Sequence, residues 1–129
     1  MWFRDGKIVC VGDFDFMGER SRPDDLALTM YFSDAQFSLF DPYPGDRFAQ
    51  YRSMFRSYQS ALDNPWSSRE CEAMPYAMAR QPMWGFAKWV RLQDDIPARN
   101  YISDMEWYVK WGHAMIDTAD QWTEKVFFA

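Results

Sequence analysis

Two aspartates near the N-terminus, Asp13 and Asp15, have the residue type and spacing that metal chemistry requires. They follow the apolar run 8–11, and residues two apart on an extended segment point to the same side of the chain. Carboxylate oxygens are the ligands that hard cations such as Mg²⁺ or Ca²⁺ prefer. The pair therefore predicts a divalent-metal site in which both side chains are ligands and catalytic groups. The alternative is two solvated or helix-capping acids.

A helix start follows this acidic pair. Pro23 suits the first turn of a helix, and Asp24 and Asp25 favour the positive N-terminal end of its dipole. The two acids are therefore interpreted as helix-start residues before catalytic ones. Glu19 and Arg20 either face the opening of the metal site predicted at Asp13 and Asp15, or form a surface ion pair that contributes little to stability.

The segment 9–27 resembles the metal-binding segment of the aminoglycoside phosphotransferase family, a branch of the protein-kinase-like fold. In that family a strand ends in Ile/Val-x-Asp-Phe/Trp, a Gly-bearing turn follows, and an Asp-Leu-Ala helix start closes the motif. Asp13 matches the Mg²⁺-binding aspartate, and Asp25-Leu26-Ala27 matches the helix start. The helical remainder resembles the C-terminal region of the family, so the likeness covers the whole chain, but its specific part lies near the N-terminus.

The sequence also departs from that family. The His-Gly-Asp catalytic loop with its following Asn is absent, and so is the N-terminal lobe with its Gly-rich loop and Lys. Phosphoryl transfer in this fold needs a base, a second metal ligand and phosphate-cradling groups together. We therefore expect a truncated C-terminal-lobe fragment with no nucleotide site and no kinase activity.

Three functions remain open on these residues. The first is metal-assisted hydrolysis of activated phosphoesters, in which a divalent ion at Asp13 polarises the phosphoryl group and lowers the pKa of bound water. The second is a non-catalytic oligomeric fragment, and the third is a protein-interaction module. The metal ligands are the best-matched residues of the resemblance, which favours the first.

His113 is the third candidate catalytic residue. It is the only histidine of the chain and the only side chain whose unperturbed charge changes near neutral pH. It lies mid-helix beside Trp111, so the alternative is a partly exposed helix residue. Neither a Ser-His-Asp nor a Cys-His signature supports a role as general base.

Composition excludes several partners. The chain has 129 residues, enough for one domain with its own core. A net charge of −5 and a pI near 4.7 argue against nucleic acid and against anionic membranes. The lack of a membrane-length apolar run or a secretion signal predicts a cytoplasmic protein. Cys10 and Cys71 are predicted to be free thiols.

Aromatic side chains make up 19% of the chain, including seven Trp and eleven Phe. Such rings dominate burial in cores and in interfaces alike. The Trp and Met side chains of the predicted helices are therefore predicted to lie in the core or in an interface rather than to form a ligand cage; the Trp residues concerned are Trp84, Trp89, Trp107, Trp111 and Trp122. A fragment without its covering lobe is expected to expose an apolar patch, and such patches are usually covered by a partner. We therefore predict a two-fold homodimer.

The pattern of elements predicts a mainly α (α+β) protein of one domain, 1–129. Residues 1–21 form a β-hairpin and the acidic loop, with Asp5-Gly6 as the turn. The apolar second arm is predicted to be covered on both faces. Residues 22–129 form a helical bundle that resembles the C-terminal part of a kinase-like lobe. Helices are predicted from 23 to 34 or 36 and over 46–62, 83–92 and 98–126, and a further helix is predicted to follow the capping box at 67–70 and to kink or break at Pro82.

Signals for helix ends support these limits. Ser67 and Glu70 have the spacing of a capping box, and Pro82 is expected to break the helix that they start.

Overall fold

The computed structural model describes residues 2–10, 18–35, 47–83 and 102–128. This part of the chain is mainly helical, as predicted. Strands β1 (Trp2–Arg4) and β2 (Lys7–Cys10) are followed by α1 (Arg22–Ala35), α2 (Arg47–Ser60), α3 (Ser68–Arg80), α4 (Ile102–Asp117) and α5 (Ala119–Trp122), and a π-helical turn over Thr123–Phe127. None of the helices in these ranges is long and apolar enough to span a bilayer.

The N-terminal hairpin turns at Asp5 and Gly6. Both have positive φ, at 51° and 74°, which is the conformation that a type I′ turn requires at its two central residues. Ile8 and Val9 on β2 are 54% and 55% exposed. Because consecutive strand residues point to opposite faces, the described residues of the chain cover neither face of β2. The predicted cover is therefore wrong for packing within the chain, and cover by a second copy stays a prediction. A short apolar run does not determine whether anything packs over it.

The core lies where α1 and α4 pack on α3, and where α2 packs on the π-helical turn. It is built from aromatic rings and flexible Met side chains that fill the space between the helices. Its almost fully buried members include Leu26, Ala27, Met30, Phe48, Tyr51, Met74, Met78, Trp111, Ala114, Met115, Trp122 and Val126. Trp111 and Trp122 are thus core residues, whereas Trp84 and Trp89 lie outside the described residues.

Helix α3 begins and ends where the sequence predicts. The Ser67 Oγ accepts a hydrogen bond from the Glu70 N–H at 3.3 Å, and the Glu70 carboxylate accepts one from the Ser67 N–H at 2.8 Å. This reciprocal capping box satisfies two amides that the first turn leaves unpaired. The helix ends at Arg80, two residues before Pro82, which confirms the predicted break. Of the predicted helix 83–92, all but Met83 lies outside the described residues.

The predicted closing helix is not continuous. Its described part divides at Thr118 into α4 and α5, and then continues as a π-helical turn. The buried Thr118 hydroxyl donates to the Ala114 carbonyl at 2.7 Å. Hydroxyl bonds of this kind back to the preceding turn bend helices. Apolar spacing predicted the buried face, including Met115 and Trp122, but it carries no information about this bend.

Gly112 on α4 lies close to the backbone of α3. A Cβ atom at this position would lie 3.1 Å from the backbone carbonyl oxygen of Ala79, closer than such atoms normally approach. Glycine therefore permits a backbone contact between the two helices that a larger residue would push apart.

Candidate functional site

Asp13 and Asp15, the predicted metal ligands, lie outside the described residues. Within the ranges that are described, no group of three or more His, Cys, Asp or Glu side chains could hold a metal ion. The metal site therefore stays a prediction that depends on Asp13 and Asp15.

A cleft opens between the N-terminal end of α1 and the C-terminal end of α3, with a volume of about 690 Å³. Glu19 and Arg20 line it, so both face the start of α1. In sequence, the cleft begins at Gly18, three residues after Asp15. Its described lining consists of Gly18, Glu19, Arg20, Ser21, Asp24, Arg80, Gln81 and Met83.

Ser21 and Asp24 build the wall of the cleft at the start of α1. The Ser21 hydroxyl donates to the Asp24 carboxylate at 2.7 Å, and the Asp24 N–H lies 3.4 Å from the same hydroxyl oxygen. Asp24 also pairs with Arg80 at the end of α3. Asp24 is thus a helix-start residue that also connects two helices. The Ser-x-x-Asp spacing of Ser21 and Asp24 is a capping signal that the sequence contains. The prediction of Asp24 as a helix-start residue depended instead on Pro23 and on the helix dipole.

Asp25 has a different partner. The Tyr58 hydroxyl on α2 donates to its carboxylate at 3.3 Å, and Asp25 is not among the described residues that line the cleft. Partial burial, followed by the negative charge of Asp25, raises the pKa of Tyr58. Asp25 therefore joins α1 to α2 and has no contact that points to catalysis.

Arg22 and Glu70 form the second connection between α1 and α3. The guanidinium donates from Nε and Nη2 to the two carboxylate oxygens, each at 2.7 Å, and from Nη1 to the Asn64 carbonyl at 2.8 Å. The hydrogen bond from the Ser67 N–H, followed by those from Arg22 and the Ser67 hydroxyl, lowers the pKa of Glu70 to about 2. Sequence reasoning missed this pair, because Arg22 and Glu70 are 48 residues apart and share no local pattern.

Sequence reasoning also missed Gln81, a residue that lines the cleft. It is only 2% exposed, and its Nε2 donates to the Ala77 carbonyl at 2.9 Å. Its Oε1 is buried and has no hydrogen-bond partner in the part of the chain that the structure describes. A Gln that follows a helix usually faces solvent, so no sequence signal distinguishes this one.

His113 lies away from Ser21 and Asp24. It is exposed on α4 and lines a shallow groove of about 330 Å³ between α3 and α4, together with Tyr76, Val109 and Ile116. None of the described residues of this groove is an Asp, Glu, Ser or Cys, so a partner that would orient or use His113 as a base is lacking there. The partly exposed helix residue is the interpretation that this geometry favours. Two residues, Arg80 and Met83, line both the groove and the cleft.

Cys71 is a buried free thiol on α3, as predicted. Burial, followed by the neighbouring carboxylates Glu70 and Glu72, raises its pKa. Because the thiolate is the reactive form, Cys71 has the environment of a structural cysteine. The side chain of Cys10 lies outside the description.

Comparison of the chain with protein-family models, with curated proteins and with solved structures found no match. The resemblance to the aminoglycoside phosphotransferase family therefore remains an expectation from the motif around Asp13.

Proposed function

We propose that this chain hydrolyses activated phosphoesters in the cleft between α1 and α3, and that it is related to the aminoglycoside phosphotransferase family. The observation that carries the proposal is the cleft itself. It combines two arginines, Arg20 and Arg80, with a helix N-terminus, and it begins three residues after Asp15. Hydrolysis by water needs no ATP-binding lobe.

The arginines suit a phosphoester. A guanidinium carries five N–H donors in a planar fork that matches phosphate oxygens. Arg80 uses its Nη2 for Asp24, and its side chain is 64% exposed. Further donors of Arg80 can therefore bind an ester without breaking the pair. The formal charges of Glu19, Asp24, Arg20 and Arg80 sum to zero, so an anionic ester meets no net repulsion from them.

We assign Asp13 and Asp15 as ligands of the divalent ion, and Asp13 also as the acceptor of a proton from the attacking water. Asp15 and Asp13 precede Gly18 by three and five residues, and such lengths of chain span at most about 11 Å and about 18 Å, so the chain length permits both carboxylates to reach the cleft. A divalent ion bound there would polarise the phosphoryl oxygens and lower the pKa of its water.

The proposed reaction is a displacement at phosphorus. A water oxygen attacks phosphorus, and the bond from phosphorus to the aryl oxygen breaks. The aryl oxygen leaves with the bonding electron pair, and a water proton passes to the carboxylate of Asp13 and then to solvent. Negative charge increases on the non-bridging oxygens during attack, where Arg80 can stabilise it.

The test is hydrolysis of a panel of aryl phosphate mono-, di- and triesters, with and without EDTA, by the parent chain and by Asp13→Ala. Asp63→Ala, an exposed loop residue, is the matched control for loss of one carboxylate. The proposal expects turnover that EDTA and Asp13→Ala both abolish and that Asp63→Ala preserves. Turnover that survives both treatments would remove Asp13 and the metal from the mechanism. No turnover on any ester would refute the hydrolase.

Self-association is the second candidate function, and the α3–α4 groove favours it. Tyr76, Met83, Val109 and Ile116 are between 40% and 55% exposed on this surface. Apolar side chains gathered in this way are usually covered by a partner, and a two-fold dimer would cover the same groove on both copies. Light scattering should then give twice the chain mass, and Ile116→Lys should give the monomer mass, whereas Ser53→Lys on the exposed face of α2 should not. A monomer at all concentrations would refute self-association.

A further inference from the structure

The cleft contains the buried amide of Gln81, which the proposed reaction does not use. Its orientation is determined by the Ala77 carbonyl, since the opposite orientation would place two oxygens together instead of the 2.9 Å hydrogen bond from Nε2. Within the described residues, Oε1 is therefore a buried acceptor without a donor, in a residue that is only 2% exposed. A buried acceptor left unpaired is destabilising, and a ligand with a suitable donor would recover that cost.

We propose that Gln81 Oε1 accepts a hydrogen bond from a hydroxyl group of the bound ester, so that the cleft selects phosphoesters of polyhydroxy alcohols. This inference rests on the proposed function and names its substrate class. The phosphate lies at Arg80, and the alcohol part of the ester extends to the neighbouring residue, Gln81. Arg80 and Gln81 are consecutive at the end of α3 and both line the cleft. A guanidinium that can donate hydrogen bonds to a phosphate therefore lies beside a neutral amide oxygen that can accept one.

The donor is a hydroxyl rather than an ammonium because of burial. Oε1 is neutral and shielded from water, and transfer of a charged ammonium to such a place costs far more than transfer of a hydroxyl that gains a hydrogen bond there. A ligand reaches the amide by displacing the rim of the cleft. Arg80 and Met83 form that rim and are both more than half exposed, and exposed side chains change rotamer within nanoseconds.

Two chromogenic diesters test the proposal, namely the 2,3-dihydroxypropyl and the propyl esters of 4-nitrophenyl phosphate. They share the leaving group and the phosphorus chemistry and differ only in two hydroxyl groups. The parent chain should have a kcat/KM about 3- to 10-fold higher for the dihydroxypropyl ester, as one net hydrogen bond gives. In Gln81→Met, which keeps the length of the side chain and removes the acceptor, the ratio should fall to about one. Gln50→Met, on the exposed face of α2, should leave the ratio unchanged.

Failure of this inference differs from failure of the hydrolase. If the parent chain hydrolyses both esters equally, or if Gln81→Met keeps the preference, Gln81 does not select the alcohol although the hydrolase stands. If neither ester is hydrolysed, calorimetric titration with glycerol 1-phosphate and with propyl phosphate decides. Tighter binding of glycerol phosphate that Gln81→Met abolishes would support the recognition without catalysis, and equal or absent binding would overturn it. A melting temperature close to that of the parent would show that Gln81→Met is folded.

Discussion

The connection between Arg22 and Glu70 should make the stability of the protein depend on pH in a predictable range. Glu70→Gln tests this connection, because Gln can still cap α3 from the same position but cannot carry the charge that pairs with Arg22. The substitution therefore isolates the electrostatic part of the interaction between α1 and α3. Glu72→Gln, at an exposed position of the same helix, is the control.

The magnitude follows from the pKa of Glu70, which the Ser67 N–H and Arg22 lower from 4.5 to about 2. At 1.36 kcal/mol per unit, the shift corresponds to about 3 kcal/mol. Solvent around a carboxylate that is 24% exposed screens part of this interaction, which leaves about 1–2 kcal/mol. Glu70→Gln should lower the free energy of unfolding by this amount at pH 7.

The sign of the pH dependence is determined by the direction of the shift. A carboxyl whose folded pKa is lowered contributes stability that is fully present above the unfolded pKa of about 4.5 and is lost as the pH falls through the folded pKa of about 2. More than half of the difference between the parent and Glu70→Gln should therefore be gone at pH 3.

Urea denaturation followed by circular dichroism at pH 7, 5, 4 and 3 measures this difference. Other carboxyl groups titrate in both proteins, so their contributions cancel in the comparison. A difference that stays constant from pH 7 to pH 3, or that is zero at pH 7, would show that the Arg22–Glu70 pair does not stabilise the contact between α1 and α3.

Two further predictions concern packing and are also measured by urea denaturation. Gly112→Val should lower the free energy of unfolding by about 1–3 kcal/mol, because its Cβ would lie 3.1 Å from the Ala79 carbonyl oxygen and overpacking has costs of this size. Gly112→Ala should cost less, since Ala gains about 1 kcal/mol of helix propensity. An equal loss in both variants would contradict this explanation. Met30→Ala should cost about 2–5 kcal/mol, as expected for a fully buried Met, whereas the same change at the half-exposed Met83 should cost less than about 1 kcal/mol. Similar values at the two sites would show that Met30 does not belong to the core.

The elements that the sequence predicted well are those that local chemistry determines. The limits of α3 depend on a capping box at Ser67 and Glu70 and on a break before Pro82, and each signal needs only a few neighbouring residues. The apolar spacing of the last helix likewise placed Trp122 in the core. Its division at Thr118 was missed because one hydroxyl group, rather than the hydrophobic pattern, bends the chain there.

Features that depend on contacts between distant segments could not be predicted. No pattern in the sequence connects Arg22 with Glu70, and nothing distinguishes the buried Gln81 from a surface Gln. Burial of β2 could not be predicted from composition either. Ile8 and Val9 are residue types typical of a buried strand, yet each is more than half exposed. Asp13 and Asp15 remain the strongest sequence signal, and only the hydrolysis experiment tests them.

The two ion pairs of α1 have a mechanical consequence. Arg22 and Asp24 lie in the same turn of α1, yet their partners, Glu70 and Arg80, lie at opposite ends of α3. Ten residues of helix separate those partners by about 15 Å. A shear of α1 along α3 in either direction would stretch one pair while it relaxes the other. Together the two pairs therefore resist sliding of the cleft wall along α3 in both directions.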